Sequence, residues 1–218
     1  MTKHPLKTLI TLAATLLIGL CLGALICYGT IGTDMPVAGQ SQTTPRKGTA
    51  MQNSDQQEPT FAKPGHTGKG TRKVFLNASQ NAQGNTSSLA KELMGGEDYR
   101  QINLSEYRIP QVGQGDGDFP KVWDQLKEAD VIVIGTPVYW SNMSGYLKTF
   151  IDHVEVNEDL KGTDLYLIVQ GADSNQTRAV NATYGTMDRV AKRFGLNLVG
   201  IAQNGDQAKD LHARMLAE

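Results

Sequence analysis

A chain of 218 residues, with 39% hydrophobic and 20% charged side chains and a formal net charge of −1, is long enough for one folded domain with additions. Residues 1–72 hold 7 Lys/Arg against 3 Asp/Glu and residues 73–218 hold 14 against 19, so the larger part is acidic and lacks the basic stripe that a nucleic-acid partner would need. Both cysteines, Cys21 and Cys27, stand before residue 34, which leaves the rest of the chain without disulfides and without thiolate ligands for zinc or an iron–sulfur centre.

Residues 8–33 carry no charged side chain and follow Lys3 and Lys7. These 26 residues exceed the roughly 20 that cross a bilayer core and the roughly 7 to 15 at the centre of a signal peptide. The pattern predicts an N-terminal membrane anchor over residues 1–33, a transmembrane helix with its amino terminus in the cytoplasm and the globular domain outside. Small residues at Val37, Ala38 and Gly39 leave an alternative, cleavage there and secretion. A lipoprotein is disfavoured, because Ile26 and not a small residue precedes Cys27. Residues 34–72 are rich in Gly, Gln, Thr, Pro and Lys, with Val37, Met51 and Phe61 as their few larger apolar side chains, and are expected to be a disordered linker.

From residue 73 the chain alternates strands and helices. Val74, Phe75 and Leu76 make a first strand, residues 79–86 a polar loop, and Leu89, Leu93 and Met94 the inner face of a first helix. Residues 99–104 read as a poorer strand suited to a sheet edge. Asp118 is expected to cap a short helix with Pro120 in its first turn and Val122, Trp123 and Leu126 inward. Residues 131–134, Val-Ile-Val-Ile, form an unbroken β-branched run of the kind buried on both faces of a parallel sheet, with Gly135, Thr136 and Pro137 ending it. Beyond Ser144, Leu147, Phe150, Ile151 and Val154 recur at i, i+3, i+4 and i+7, the stripe of an amphipathic helix. Residues 165–169 make a fourth strand, Met187, Val190, Ala191 and Phe194 a helix face, and residues 198–201 a fifth strand. Asp206 is expected to cap a last helix bearing Ala208, Leu211 and Met215. Five strands with intervening helices imply parallel pairing through right-handed crossovers.

Two loops of this pattern carry chemistry. Hydroxyls and amides before the first helix (Ser79, Gln80, Gly84, Asn85, Thr86, Ser87) place free backbone N–H groups at a helix amino end, which favours a phosphate. The loop after the central strand carries two adjacent aromatics, Tyr139 and Trp140, at the carboxyl edge where open α/β sheets bind ligands. Rival chemistries lack their motifs. There is no Gly-x-Gly-x-x-Gly or Gly-Lys-Ser/Thr, no Gly-x-Ser-x-Gly, and Asn77 and Gly135 stand where a receiver domain needs acids. His4, His66, His153 and His212 form no cluster and read as surface or helix-end residues, with His4 and His66 outside the domain.

The run Gly-Thr-Pro-Val-Tyr-Trp at the end of the central strand, followed by Ser-Asn-Met-Ser-Gly-Tyr-Leu-Lys-Thr-Phe-Ile-Asp, resembles the NAD(P)H-dependent FMN reductase family of the flavodoxin-like superfamily. The resemblance spans about residues 73–204 and implies a flavodoxin-like α/β three-layer sandwich over residues 73–218, with a five-stranded parallel sheet in the order 2-1-3-4-5. It implies noncovalent FMN as cofactor, with the chemistry on the flavin and no catalytic side chain. Pro137, Val138, Tyr139, Trp140, Ser141 and Asn142 would lie along the flavin ring, Tyr139 or Trp140 stacking on it. Ser79, Gln80, Gly84, Asn85, Thr86 and Ser87 would hold its phosphate, while Gly171 and Ala172 close over it. Gln80 stands where the family often has arginine, which bears on the phosphate or nicotinamide contact.

Relatives take hydride from NAD(P)H and pass it to small acceptors such as quinones, and often dimerise. Outside a membrane, a quinol or redox protein becomes an alternative donor. An FMN-binding electron shuttle and a cofactor-free envelope module are the competing readings.

Overall fold

The computed structural model of the protein describes residues 59–68, 70–171 and 176–217. The expected anchor, residues 34–58 of the expected linker, and Ala172 lie outside them. Among the described residues no helix is long and apolar enough to cross a membrane.

The elements alternate as the hydrophobic pattern requires: β1 (Lys73–Asn77), α1 (Asn85–Met94), β2 (Arg100–Asn103), a 3-10 turn (Leu104–Glu106), α2 (Phe119–Leu126), β3 (Val131–Pro137), α3 (Gly145–Asp152), β4 (Asp164–Gln170), α4 (Gln176–Phe194), β5 (Asn197–Ala202) and α5 (Gly205–Leu216). The strands form one parallel sheet in the order β2-β1-β3-β4-β5. Because side chains alternate across a strand, β3 feeds two cores. Ile132 and Ile134 pack with Val122 and Leu126 of α2, Leu147 and Phe150 of α3, and Met187 and Ala191 of α4. Val131 and Val133 pack with Ala90 and Leu93 of α1 and Ala208 and Leu211 of α5.

The central strand is longer than its β-branched run. Gly135, Thr136 and Pro137 continue it against Ile168, Val169 and Gln170 of β4. Proline is tolerated at this terminus, where the next ladder bond comes from Val138 N–H to Gln170 O at 2.9 Å. Gly135 is required by packing. A Cβ placed there would stand 2.6 Å from Thr86 Cγ2 and 2.7 Å from Phe75 Cε2, so its absence lets the start of α1 settle on β3.

Both expected aspartate caps need correcting. Asp118 occupies the N-cap position of α2 without an extended backbone or a side-chain cap bond, because its carboxylate instead accepts from Arg108 N–H at 2.9 Å and Lys121 Nζ at 2.6 Å. Asp206 lies inside the first turn of α5, and the cap is Asn204, whose side chain accepts from Gln207 N–H at 3.0 Å. The histidine expected outside the domain is also seated on it. Gly65 and His66 donate backbone N–H bonds of 2.7–2.9 Å to the fully buried Asp164 carboxylate. Upstream, Ala62 N–H donates to Leu198 O of β5 at 2.8 Å and Phe61 meets the Tyr184 ring edge-on at 6.0 Å.

Gly135→Ala is expected to lower the free energy of unfolding by about 1–3 kcal/mol through overpacking. Urea denaturation followed by circular dichroism checks this, and an unchanged midpoint would contradict the packing role.

Candidate functional site at the carboxyl edge of the sheet

The strand order reverses between β1 and β3, so the connections leaving them diverge and open a crevice at their carboxyl ends. The two loops flanking it are tied together by buried hydrogen bonds. Ala78 N–H donates to Gly135 O at 2.8 Å. Ser144, fully buried as the N-cap of α3, donates its hydroxyl to Ala78 O at 2.8 Å and accepts from Leu147 N–H at 3.2 Å. Its own N–H donates to Thr136 Oγ1 at 2.9 Å. One serine thus joins the first loop, the end of β3 and the start of α3.

The polar loop is organised from below by Asn77, also fully buried. Its Oδ1 accepts from Ser79 N–H at 3.1 Å, and its Nδ2 donates to Asn103 Oδ1 at 3.1 Å and Ser87 Oγ at 3.4 Å. Ser79 Oγ then accepts from Asn81 N–H, and Asn81 Oδ1 from Gln83 N–H. These side-chain bonds hold the loop as successive Asx and Ser turns. Ser87 Oγ is committed to Ala82 O at 2.8 Å, which turns its hydroxyl back into the loop.

What the loop leaves open is the helix amino end. Gly84 is the N-cap of α1, extended at φ −87° and ψ −169°, with no side-chain cap bond. Among the described residues nothing accepts from the N–H groups of Asn85, Thr86 and Ser87. By contrast α3 and α5 are capped by Ser144 and Asn204. Gln80 and Asn85 are exposed beside this end, and Thr86 is buried against Gly135. An uncapped ten-residue helix pointing its dipole into a crevice suits a phosphate.

The second loop is a tight hairpin. Tyr139 N–H donates to Asn142 O at 2.9 Å and Asn142 N–H to Tyr139 O at 3.1 Å, and the two residues between them, Trp140 and Ser141, have φ of 50° and 58°. Positive φ at both central positions makes a type I′ turn, a conformation that normally selects glycine or asparagine. Trp140 adopts it with its side chain fully exposed, and Tyr139 is 49% exposed. Ser141 is half-buried, and Asn142 Oδ1 accepts from Met143 N–H at 2.8 Å. The third loop joins here. A Cβ at Gly171 would stand 2.6 Å from Val138 Cβ, so glycine allows the ends of β3 and β4 to converge.

Pro137, Val138, Tyr139, Trp140, Ser141 and Asn142 therefore stand at one sheet edge with Ser79, Gly84, Asn85, Thr86 and Gly171, and Ala172 falls outside the described residues. The sequence reading missed Ser144 and Asn77. An asparagine at a strand end followed by serine two residues later is the local signal that would have found the latter. Among the described residues no three His, Cys, Asp or Glu side chains gather to hold a metal.

Residues 71–193 match the family model for NADPH-dependent FMN reductase. The chain belongs to this family. Among its relatives, YwqN of Bacillus subtilis (strain 168), which carries the name of an NAD(P)H-dependent FMN-containing oxidoreductase, is 25% identical over 127 residues, 49% of this chain and 70% of YwqN. Among solved structures, the Trp repressor binding protein from Bacillus subtilis aligns with a TM-score of 0.55 at 20% identity over 67% of this chain and 99% of its own. The apo form of the NADH:FMN oxidoreductase EMOB aligns with a TM-score of 0.52 at 18% identity, over 67% and 87%. At such identities these structures speak for a flavodoxin-like fold, and the sheet order 2-1-3-4-5 agrees with them.

Replacing Ser144 with alanine removes a cap and leaves Ala78 O buried without its donor. Unfolding free energy is expected to drop by about 2–4 kcal/mol, and a loss under about 0.5 kcal/mol in chemical denaturation would show that the tie between the loops is dispensable.

Proposed function

We propose that this protein is a membrane-tethered, FMN-binding oxidoreductase that passes hydride from NAD(P)H, or electrons from a quinol or redox protein, to a small acceptor such as a quinone. The observation that carries the reading is the junction of an uncapped helix amino end with an exposed aromatic hairpin through Ser144. One end suits a dianion and the other a flat ring, and FMN has both.

In this reading the N–H groups of Asn85, Thr86 and Ser87 hold the phosphate. Gln80 adds a neutral donor where a cation would add charge. Val138, Tyr139 and Trp140 line the ring, and either aromatic can stack on it. FMN supplies the hydride chemistry when bound, and the protein supplies orientation and the polarity around the ring. The net reaction balances as NAD(P)H, a proton and quinone giving NAD(P)+ and hydroquinone. The charge-free stretch at residues 8–33 supports the tether and an extracytoplasmic domain.

The full chain supplied with FMN is expected to oxidise NADH or NADPH with naphthoquinone as acceptor, one hydroquinone forming per nicotinamide consumed. Tight FMN binding without turnover from either nicotinamide or a quinol would contradict the enzyme and leave an electron shuttle. Because Trp140 is fully exposed, Trp140→Ala is expected to leave thermal stability nearly unchanged while weakening FMN binding by about 1–3 kcal/mol if its ring stacks. Unchanged affinity in fluorescence quenching assigns stacking to Tyr139.

A further inference from the structure

A cavity of about 400 Å³ lies beside the aromatic hairpin, between the segment that follows β2 and the first turn of α3, lined by Tyr107, Arg108, Ile109, Tyr139 and Tyr146. Its size is in the range of small-molecule sites, about 300–1,000 Å³. It shares a wall with the loop described above, because Tyr139 opens the Trp140 hairpin. A molecule seated there touches the same residue that would border the flavin. Tyr139 and Tyr146 are 49% and 39% exposed, so two large aromatics present surface to the cavity instead of packing into the core.

Arg108 gives the cavity its charge. Its backbone is clamped: Arg108 N–H donates to Asp118 Oδ2 at 2.9 Å, and Arg108 O accepts from Asp118 N–H at 2.9 Å. Gly117, at φ 54°, makes room for that carbonyl, since a Cβ there would stand 2.2 Å from Arg108 O. Two residues on, Pro110 O accepts from His153 Nε2 at 2.6 Å, and the His153 ring stacks on Phe119 at 5.4 Å. The guanidinium itself makes no hydrogen bond or ion pair with any described residue.

The neighbouring acids make no direct contact with the guanidinium, although its charge adds to what holds Asp118 ionised. Asp118 is hydrogen-bonded by Lys121 Nζ and by the Arg108 amide, and these bonds, the lysine first, hold its carboxyl below the usual range and ionised. Asp116 Oδ1 faces His153 Nδ1 at 3.6 Å. An arginine with a pinned backbone that lines a cavity together with tyrosines can offer an anion two parallel N–H bonds in a fork geometry that lysine cannot match.

We propose that this cavity binds a planar aromatic electron acceptor carrying one carboxylate or sulfonate group, the ring lying against Tyr139 and Tyr146 and the anion on Arg108. Arg108 is then the residue that sets the preference for anionic over neutral acceptors. The assignment rests on the oxidoreductase reading for the acceptor's role, and on the cavity alone for the binding.

The test separates the two. Naphthalene sulfonate, which cannot be reduced in this way, is titrated calorimetrically into the full chain and its Arg108→Gln and Arg108→Lys variants. With NADH and FMN present, kcat/KM is then compared for naphthoquinone sulfonate and naphthoquinone. Arg108→Gln is expected to weaken naphthalene sulfonate binding about tenfold and to lower the sulfonate-over-neutral kcat/KM ratio by about the same factor, with Arg108→Lys recovering part of each. Equal naphthalene sulfonate affinity in wild type and Arg108→Gln would overturn the proposal, as would a fall in kcat/KM of the same size for the neutral and the sulfonated quinone, which would place Arg108 outside the acceptor site. A wild-type chain that binds naphthalene sulfonate through Arg108 and turns over no acceptor would sink the oxidoreductase reading and leave the anion site standing.

Discussion

The hydroxyl of Ser144 is where the geometry of this protein closes. A buried serine side chain has one proton to give and lone pairs to accept with, and here the proton goes to the loop after β1 while an acceptor position caps the start of α3. Without that link the loop after β1 would be held to the end of β3 by the Ala78 N–H bond to Gly135 O, and nothing would join it to the start of α3. With it, the amino end of α1 and the Tyr139–Trp140 hairpin hold a set separation, which a rigid ligand with two distinct ends requires.

Several features that are costly in isolation make sense around this junction. An uncapped helix start forgoes about 1 kcal/mol that a serine or aspartate cap would supply, although α3 and α5 carry such caps. Two consecutive non-glycine residues at positive φ cost roughly 1–2 kcal/mol each. A fully exposed tryptophan at their tip recovers none of that by burial. Unmet donors, backbone strain and an exposed aromatic occur together at one sheet edge, and such clustering points to a bound partner whose contacts offset the cost.

Most of the scaffold was legible from hydrophobic pattern. The 131–134 run, the i, i+3, i+4 stripes and the alternation of strands with helices are local signals, and five parallel strands in the order 2-1-3-4-5 followed from them together with the resemblance. The errors arose where distant residues decide the outcome. Pro137 joins β3 because β4 extends to Gln170. Asp118 fails as a cap because its carboxylate is taken by Arg108 and Lys121. Residues 60–66 showed no apolar period, yet their backbone N–H groups dock on Asp164 and Leu198, a contact that no composition predicts. In the site, the residue types of both loops were readable. The positive φ of Trp140 was not, because nothing in Trp-Ser marks a type I′ turn.

In the proposed reading, one ligand spans both loops. The most direct measurement of that span is the change in backbone amide chemical shifts of the ¹⁵N-labelled domain on titration with FMN. The amides of Asn85, Thr86 and Ser87 and those of Val138, Tyr139 and Trp140 are expected to move together and saturate at one equivalent. Shifts confined to one of the two segments, or none at either, would contradict it.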